Sequence, residues 1–240
     1  MLGAGNLPVL NTDPFANPVW NALQTTHQPL ALTAGRACKY PQDVAPFAAV
    51  AENTPEALHD LHSLLLPGET TYYVAKEQPP DVAGLRSGGV VSCLQMVFPQ
   101  TLPLPEAKPI EISPLTCADS PAMVALTDVA FPGFFRSRTC LMGSYYGIWE
   151  HGKLIAMGGE RLVMNPWREI SGVCTHPEHR GQGYAPRIMT QLLQDHREAG
   201  RTSCLHVVST NRTAIDLYLR MGFSILREID LYRISRIDSD

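Results

Sequence analysis

Apolar residues recur along this chain with two periods, and the changes from one to the other mark the predicted elements. Ala185, Ile188, Met189, Leu192 and Leu193 stand three and four apart, which predicts an amphipathic helix over GYAPRIMTQLLQDHREAG, closed by Gly200. NRTAIDLYLRMG predicts a second helix, with Asn211 as N-cap and Gly222 past its end. TPEALHDLHSLLL predicts a third, with Thr54 capping, Pro55 at the first position and Glu56 in the first turn. His59 and His62 fall on it and read as surface residues, not metal ligands. PVWNALQTTH and SPAMVALTDVA are also predicted helical. LALTAG, FAAVA, TTYYVA and VVSCLQMVF predict strands in the first half. In the second half SYYGIWE and LIAMGGERLV predict a hairpin turning at Gly152; REISGVCTHP and TSCLHVV predict strands, and FSILREIDLYRI two short strands.

The proline-rich stretch QTLPLPEAKPIE, Gln100 to Glu111, lacks amide donors where a sheet or helix would need them and reads as a linker. It divides the 240 residues into an α/β half over 1–104 and a second half over 105–240. A hydrophobic fraction of 45% and a charged fraction of 18% fit a globular chain. The net charge of -4 disfavours nucleic acid as a partner. No apolar run reaches the ~20 residues of a membrane-spanning helix, and MLGAGNLPVLNTDPF lacks the basic start and apolar core of a signal peptide. The six cysteines form no C-x-x-C pair and are expected as reduced, mostly buried thiols of a cytoplasmic protein.

The candidate chemistry lies between a strand and a helix, in Arg180-Gly181-Gln182-Gly183-Tyr184-Ala185. The two glycines let the backbone approach a ligand closely. The free amides of the following helix N-terminus suit an anion such as a pyrophosphate. The motif R-x-x-G-x-A (Arg180, Gly183, Ala185) is followed about thirty residues later by N-x-x-A-x-x-x-Y-x-x-x-G-F, from Asn211 to Phe223.

These two motifs resemble those of the GNAT superfamily of acyl-CoA-dependent N-acyltransferases, over the whole second half. The layout resembles the two-domain glycine N-acyltransferase-like branch. The resemblance implies a mixed, mostly antiparallel central sheet flanked by helices, preceded by a second α/β half readable as a degenerate copy without a CoA motif. It implies acetyl-CoA or coenzyme A at Arg180 to Ala185 and Asn211, with the backbone of Val173, Cys174 and Thr175 meeting the pantetheine and acyl carbonyl. It implies transfer to a primary amine of a small molecule or amino acid by direct attack. The alternatives are a protein N-terminus or lysine as acceptor, or a CoA-binding module without catalysis.

Within that reading Tyr218 is the expected acid for the leaving thiolate, and Glu169, with a pKa raised in an apolar cleft, the expected base. Glu160 and His206 are its rivals, and Cys174 reads as a small buried residue rather than a nucleophile. Phe134, Phe135 and Tyr145 are expected to line an acceptor pocket or to be plain core, and Arg136 and Arg138 to be solvated or to meet an acceptor carboxylate. The expected assembly is a monomer or homodimer.

Overall fold

A computed structural model describes residues 13–237. The amino-terminal stretch read for a signal peptide falls largely outside the described residues. In chain order, helix α1 (Pro18–Gln24), strands β1 (Leu32–Ala34), β2 (Ala37–Lys39) and β3 (Ala48–Val50), helix α2 (Pro55–Leu64), and strands β4 (Thr70–Ala75) and β5 (Leu85–Phe98) precede the proline-rich stretch. After it come β6 (Ser113–Leu115), α3 (Ser120–Ala130), β7 (Tyr145–Glu150), β8 (Lys153–Met164), β9 (Trp167–Thr175), α4 (Tyr184–Glu198), β10 (Thr202–Val208), α5 (Arg212–Arg220) and β11 (Ser224–Arg236). The predicted caps form: Thr54 accepts from the Ala57 amide and Asn211 from the Ala214 amide. The last predicted pair of strands is one strand, bent by irregularities near Leu226 and Arg233.

Eight strands make the main sheet, in the order β4-β11-β5-β10-β9-β8-β7-β6. Every neighbouring pair is antiparallel except β9 and β10, which run parallel. On one face α4 buries Ile188, Met189, Leu192 and Leu193 against Met96, Ile155, Leu205 and their neighbours, with Ile215 of α5 in the same core. Fully burying one such side chain contributes roughly 1.5–3 kcal/mol, so this stripe fixes the helix on the sheet. On the other face α1 packs Val19 and Leu23 with Leu162 and Met164 of β8. Among the described residues, no helix is long and apolar enough to cross a membrane.

The expected boundary near residues 100–110 does not divide this sheet. β5, from the first half, lies between β10 and β11, from the second, and bonds to both. Nor is the first half a copy of the second: it supplies a separate three-stranded sheet, β1-β2-β3, and two strands of the main one. The prolines do break the ladder, but the backbone donors and acceptors of a buried strand need a partner along each edge. The linker itself lies along α4, with Arg187 Nε donating to the Ile110 carbonyl at 3.1 Å. Leu104, Ile110 and Ile112 pack on the main core.

Cys117 and Cys140, expected as free thiols, form a disulfide with Cα atoms 5.4 Å apart. Their 23-residue separation carries no sequence signal. The other four cysteines are free and buried.

A chain of residues 105–240 alone lacks the strand that joins β10 to β11. It should show no cooperative thermal transition by circular dichroism, whereas the full chain should melt cooperatively. A cooperative melt of the fragment would contradict the shared sheet.

Candidate active site

The site begins where two parallel strands stop pairing. β9 and β10 share the positions Trp167↔Thr202, Arg168↔Ser203 and Glu169↔Cys204, and beyond them they separate. From Ile170 to Thr175 the β10 side of β9 has no strand partner, so its backbone groups face an open cleft. On the other side β9 bulges, placing Gly172 and Val173 opposite Gly158. Gly172 has φ +64°, a conformation that favours glycine. The extra residue shifts the alternation that follows: Val173 lines the cleft, while Cys174 is buried beside α3. Burial pushes the Cys174 thiol up to about 12, which leaves little thiolate for nucleophilic attack.

One end of the cleft, about 640 Å³, is bounded by Val173, Cys174, Thr175 and the loop Arg180 to Ala185. Gly183, at φ +89°, is the N-cap of α4 and has no side chain to satisfy the helix amides. The amides of Gly181 to Ala185 meet no backbone acceptor among the described residues. A side chain built on Gly181 would find open space. This is an exposed set of donors at a helix N-terminus, suited to a phosphate-bearing group. Tyr184 donates to the Gln182 side chain at 2.9 Å, which braces the loop. Lys108, a linker residue that sequence reasoning missed, reaches the same loop: its Nζ donates to the Gln182 carbonyl at 3.3 Å, and its stem lies against Gly183. Asn211 borders the cleft, but its Oδ1 is used in capping α5.

The other end is a cavity of about 300 Å³. Phe134, Phe135 and Tyr145 all line it and are also packed as core: Phe134 stacks on Phe47 at 6.1 Å, and Phe135 meets Tyr145 edge-on at 5.7 Å. Phe47, from the first half, was not singled out in the sequence. Arg136 and Arg138 do not reach in: Arg136 Nη1 bonds its neighbour's carbonyl, and Arg138 pairs with Asp43 at 3.1 Å. The two ends share Phe131, Val173, Asn211 and Tyr218. Tyr218 is packed near Phe223, and burial pushes its phenol up to about 12.

Glu169 lies at the apex where the strands part and is fully buried. Arg168, its neighbour in sequence, turns instead towards Glu160. Arg161 of β8 binds Glu169 through Nε at 3.0 Å and through Nη2, while the Leu162 amide donates at 3.2 Å. His206 Nδ1 lies 2.7 Å from Glu169 Oε1 and its Nε2 2.9 Å from the Gln95 amide nitrogen, an arrangement in which Nδ1 carries the proton. Burial alone would push the Glu169 carboxyl up. The Arg161 guanidinium and His206 outweigh it and hold the carboxyl at about 2. The expected raised pKa is therefore reversed, and a carboxylate so satisfied is a poor proton acceptor. Glu160 is not in the cavity: its Oε2 accepts from the Ser144 amide at 2.8 Å, and its Oε1 stands 3.1 Å from His196 and 3.5 Å from Arg168. Glu160 and Arg161 are successive residues of β8 and so point to opposite faces, Arg161 towards the cleft and Glu160 away from it.

Residues 115–223 match the acetyltransferase (GNAT) family. A GNAT-family protein from Novosphingobium aromaticivorans DSM 12444 is 32% identical, with a TM-score of 0.85 over 94% of this chain and 100% of that one. The chain belongs to the GNAT family of acetyltransferases. A GCN5-related N-acetyltransferase from Kribbella flavida shares the fold at 17% identity and a TM-score of 0.59, over 91% of this chain and 96% of that one. No curated protein matches significantly. The coverage of the N. aromaticivorans structure extends the GNAT likeness beyond residues 115–223 to include β4 and β5.

In this GNAT chain Glu169 is a structural anion. Glu169→Gln leaves Arg161 without its counter-charge and should lower unfolding free energy by about 3 kcal/mol in urea titrations at pH 7. A carboxyl held at about 2 in the fold and near ~4.3 when unfolded stabilises the fold above pH ~4.3. That contribution is lost as pH falls towards 2. The gap between wild type and variant should therefore narrow as the titrations move from pH 5 to pH 3. A variant within 1 kcal/mol of wild type at pH 7 would contradict this role.

Proposed function

We propose that this protein transfers an acyl group, acetyl above all, from an acyl-coenzyme A to the primary amine of a small molecule in a ternary complex. The observation that carries this reading is the meeting of two differently built cavity ends at Val173 and Tyr218. One end presents free amides and cations; the other is largely apolar. The free amides of Gly181 to Ala185, with Arg180 and Lys108 beside them, suit the cofactor's pyrophosphate. Bound acetyl-CoA would supply the thioester whose carbonyl carbon is attacked.

The chain's own groups then divide the work. The backbone of Val173, free on the cleft side, is positioned to donate to the carbonyl oxygen as negative charge develops there. The amine nitrogen bonds to the carbonyl carbon, the carbon–sulfur bond breaks, and the amine's proton leaves to water in the cleft. Tyr218 keeps its proton at neutral pH because burial raises its pKa. It therefore donates a hydrogen bond to the departing sulfur, and the proton that neutralises the thiolate is relayed through it from solvent. Glu169 holds Arg161 and His206 and takes no proton. A cavity of about 300 Å³, partly lined by aromatic side chains, suits a small acceptor.

Tyr218→Phe should bind CoA within about twofold of wild type, read by thermal shift, and lose about a hundredfold in turnover, read by free-thiol release. Wild type with CoA or acetyl-CoA at a hundred times the dissociation constant should gain about 2.7 kcal/mol; absence of any shift would sink the reading. Lys108→Ala should weaken CoA binding about threefold to tenfold at low salt. That difference should shrink as ionic strength rises, since the contact is exposed.

A further inference from the structure

We infer that the amine acceptor carries a carboxylate and that Arg161 receives it, on the reading that this cavity is the acceptor end. Arg161 is the one guanidinium or ammonium group lining the cavity among the described residues. Its side chain keeps 19% of its exposure although Glu169 has none. Nε and Nη2 are committed to Glu169, and Nη1 has no hydrogen-bond partner among the described residues. The guanidinium carbon stands 4.8 Å from the centre of the Phe47 ring, so one face of the fork is fixed by an aromatic wall.

Glu169 does not cancel this cation completely. Its two oxygens also take the Leu162 amide and His206 Nδ1, so the carboxylate's charge is shared among four donors. A buried ion pair is no better for stability than well-packed apolar residues. An arginine at the lining of a largely apolar cavity therefore points to an anionic guest, for which its planar fork is suited. Around it Phe47, Phe134, Phe135, Met142 and Tyr145 offer apolar and aromatic surface. The acceptor class that fits is an amino acid or other amino carboxylate on a hydrophobic frame, with its amine at Val173 and Tyr218 and its carboxylate at Arg161.

The test compares matched acceptors with wild-type protein and acetyl-CoA: phenylalanine against phenethylamine, leucine against isoamylamine, and 6-aminohexanoate against hexylamine. Rates are compared at equal free-amine concentration. The carboxylated member of at least one pair should have a kcat/KM tenfold or more above its partner, chiefly through KM, because an unanswered charge in the site is penalised strongly. Arg161→Lys keeps a charge opposite Glu169 but lacks a spare donor fork. If folded by circular dichroism, it should reduce that ratio to below threefold. Decarboxylated amines that match or exceed their partners in all three pairs would overturn the inference. Binding of carboxylated members to the CoA-loaded protein, seen by calorimetry without any transfer, would support the Arg161 site while sinking the acyl-transfer reading. Neither binding nor transfer of any carboxylated member would overturn the inference itself.

Discussion

β9 and β10 are held together by only three paired positions before they part, and the buried Glu169 stands at the last of them. Parallel strands in a sheet would ordinarily continue their ladder, because an unpaired strand edge inside a protein is a run of unsatisfied groups. Here the apex is filled by a carboxylate, a guanidinium and an imidazole, each answered by the others or by backbone. Such a cluster is expensive to break from either side, since removing one member strands the rest in a low dielectric. The open backbone of Ile170 to Thr175 and the cavity on each side of it follow from that wedge.

The two ends of the cleft are made in different ways. The end beside α4 is built mainly from backbone: a glycine-capped helix start, a loop with free amides and an unpaired strand edge, with Lys108 added from the linker. The other end is built from side chains drawn from distant parts of the chain, including Phe47 before the linker and Phe134 after it. A backbone-built anion site is tolerant of side-chain change; a side-chain-built pocket is not.

What could be read from the sequence follows the same division. The helix stripe at Ile188 to Leu193, the caps at Thr54 and Asn211, and the glycine loop are local features, and local spacing reveals them. Glu169 was legible as a position but not as a chemical state, because the group that lowers its pKa sits across a strand pair, eight residues earlier. Arg161 escaped notice because its partners, Glu169 and Phe47, lie on other elements, and nothing in its local spacing announces them. Lys108 looked like part of a spacer, since nothing in a proline-rich run announces a docking surface on a helix seventy residues later. The linker reading failed for a related reason: prolines show where a ladder stops, and not whether its neighbours belong to one sheet or two.

The place of β5 between β10 and β11 also bears on how the chain is made. Cys93 pairs with Val208 on one side and Ile229 on the other, both more than a hundred residues later. During synthesis β5 emerges long before either partner exists. Its edges, with exposed Val90 near one end and buried Met96 further along, must wait in solution or in the care of a chaperone until nearly the whole chain is available. Closure of the central sheet is thus a late and long-range event. β10 must likewise exist before it can pair with β9 and part from it, so the cleft cannot form until most of the chain has been made.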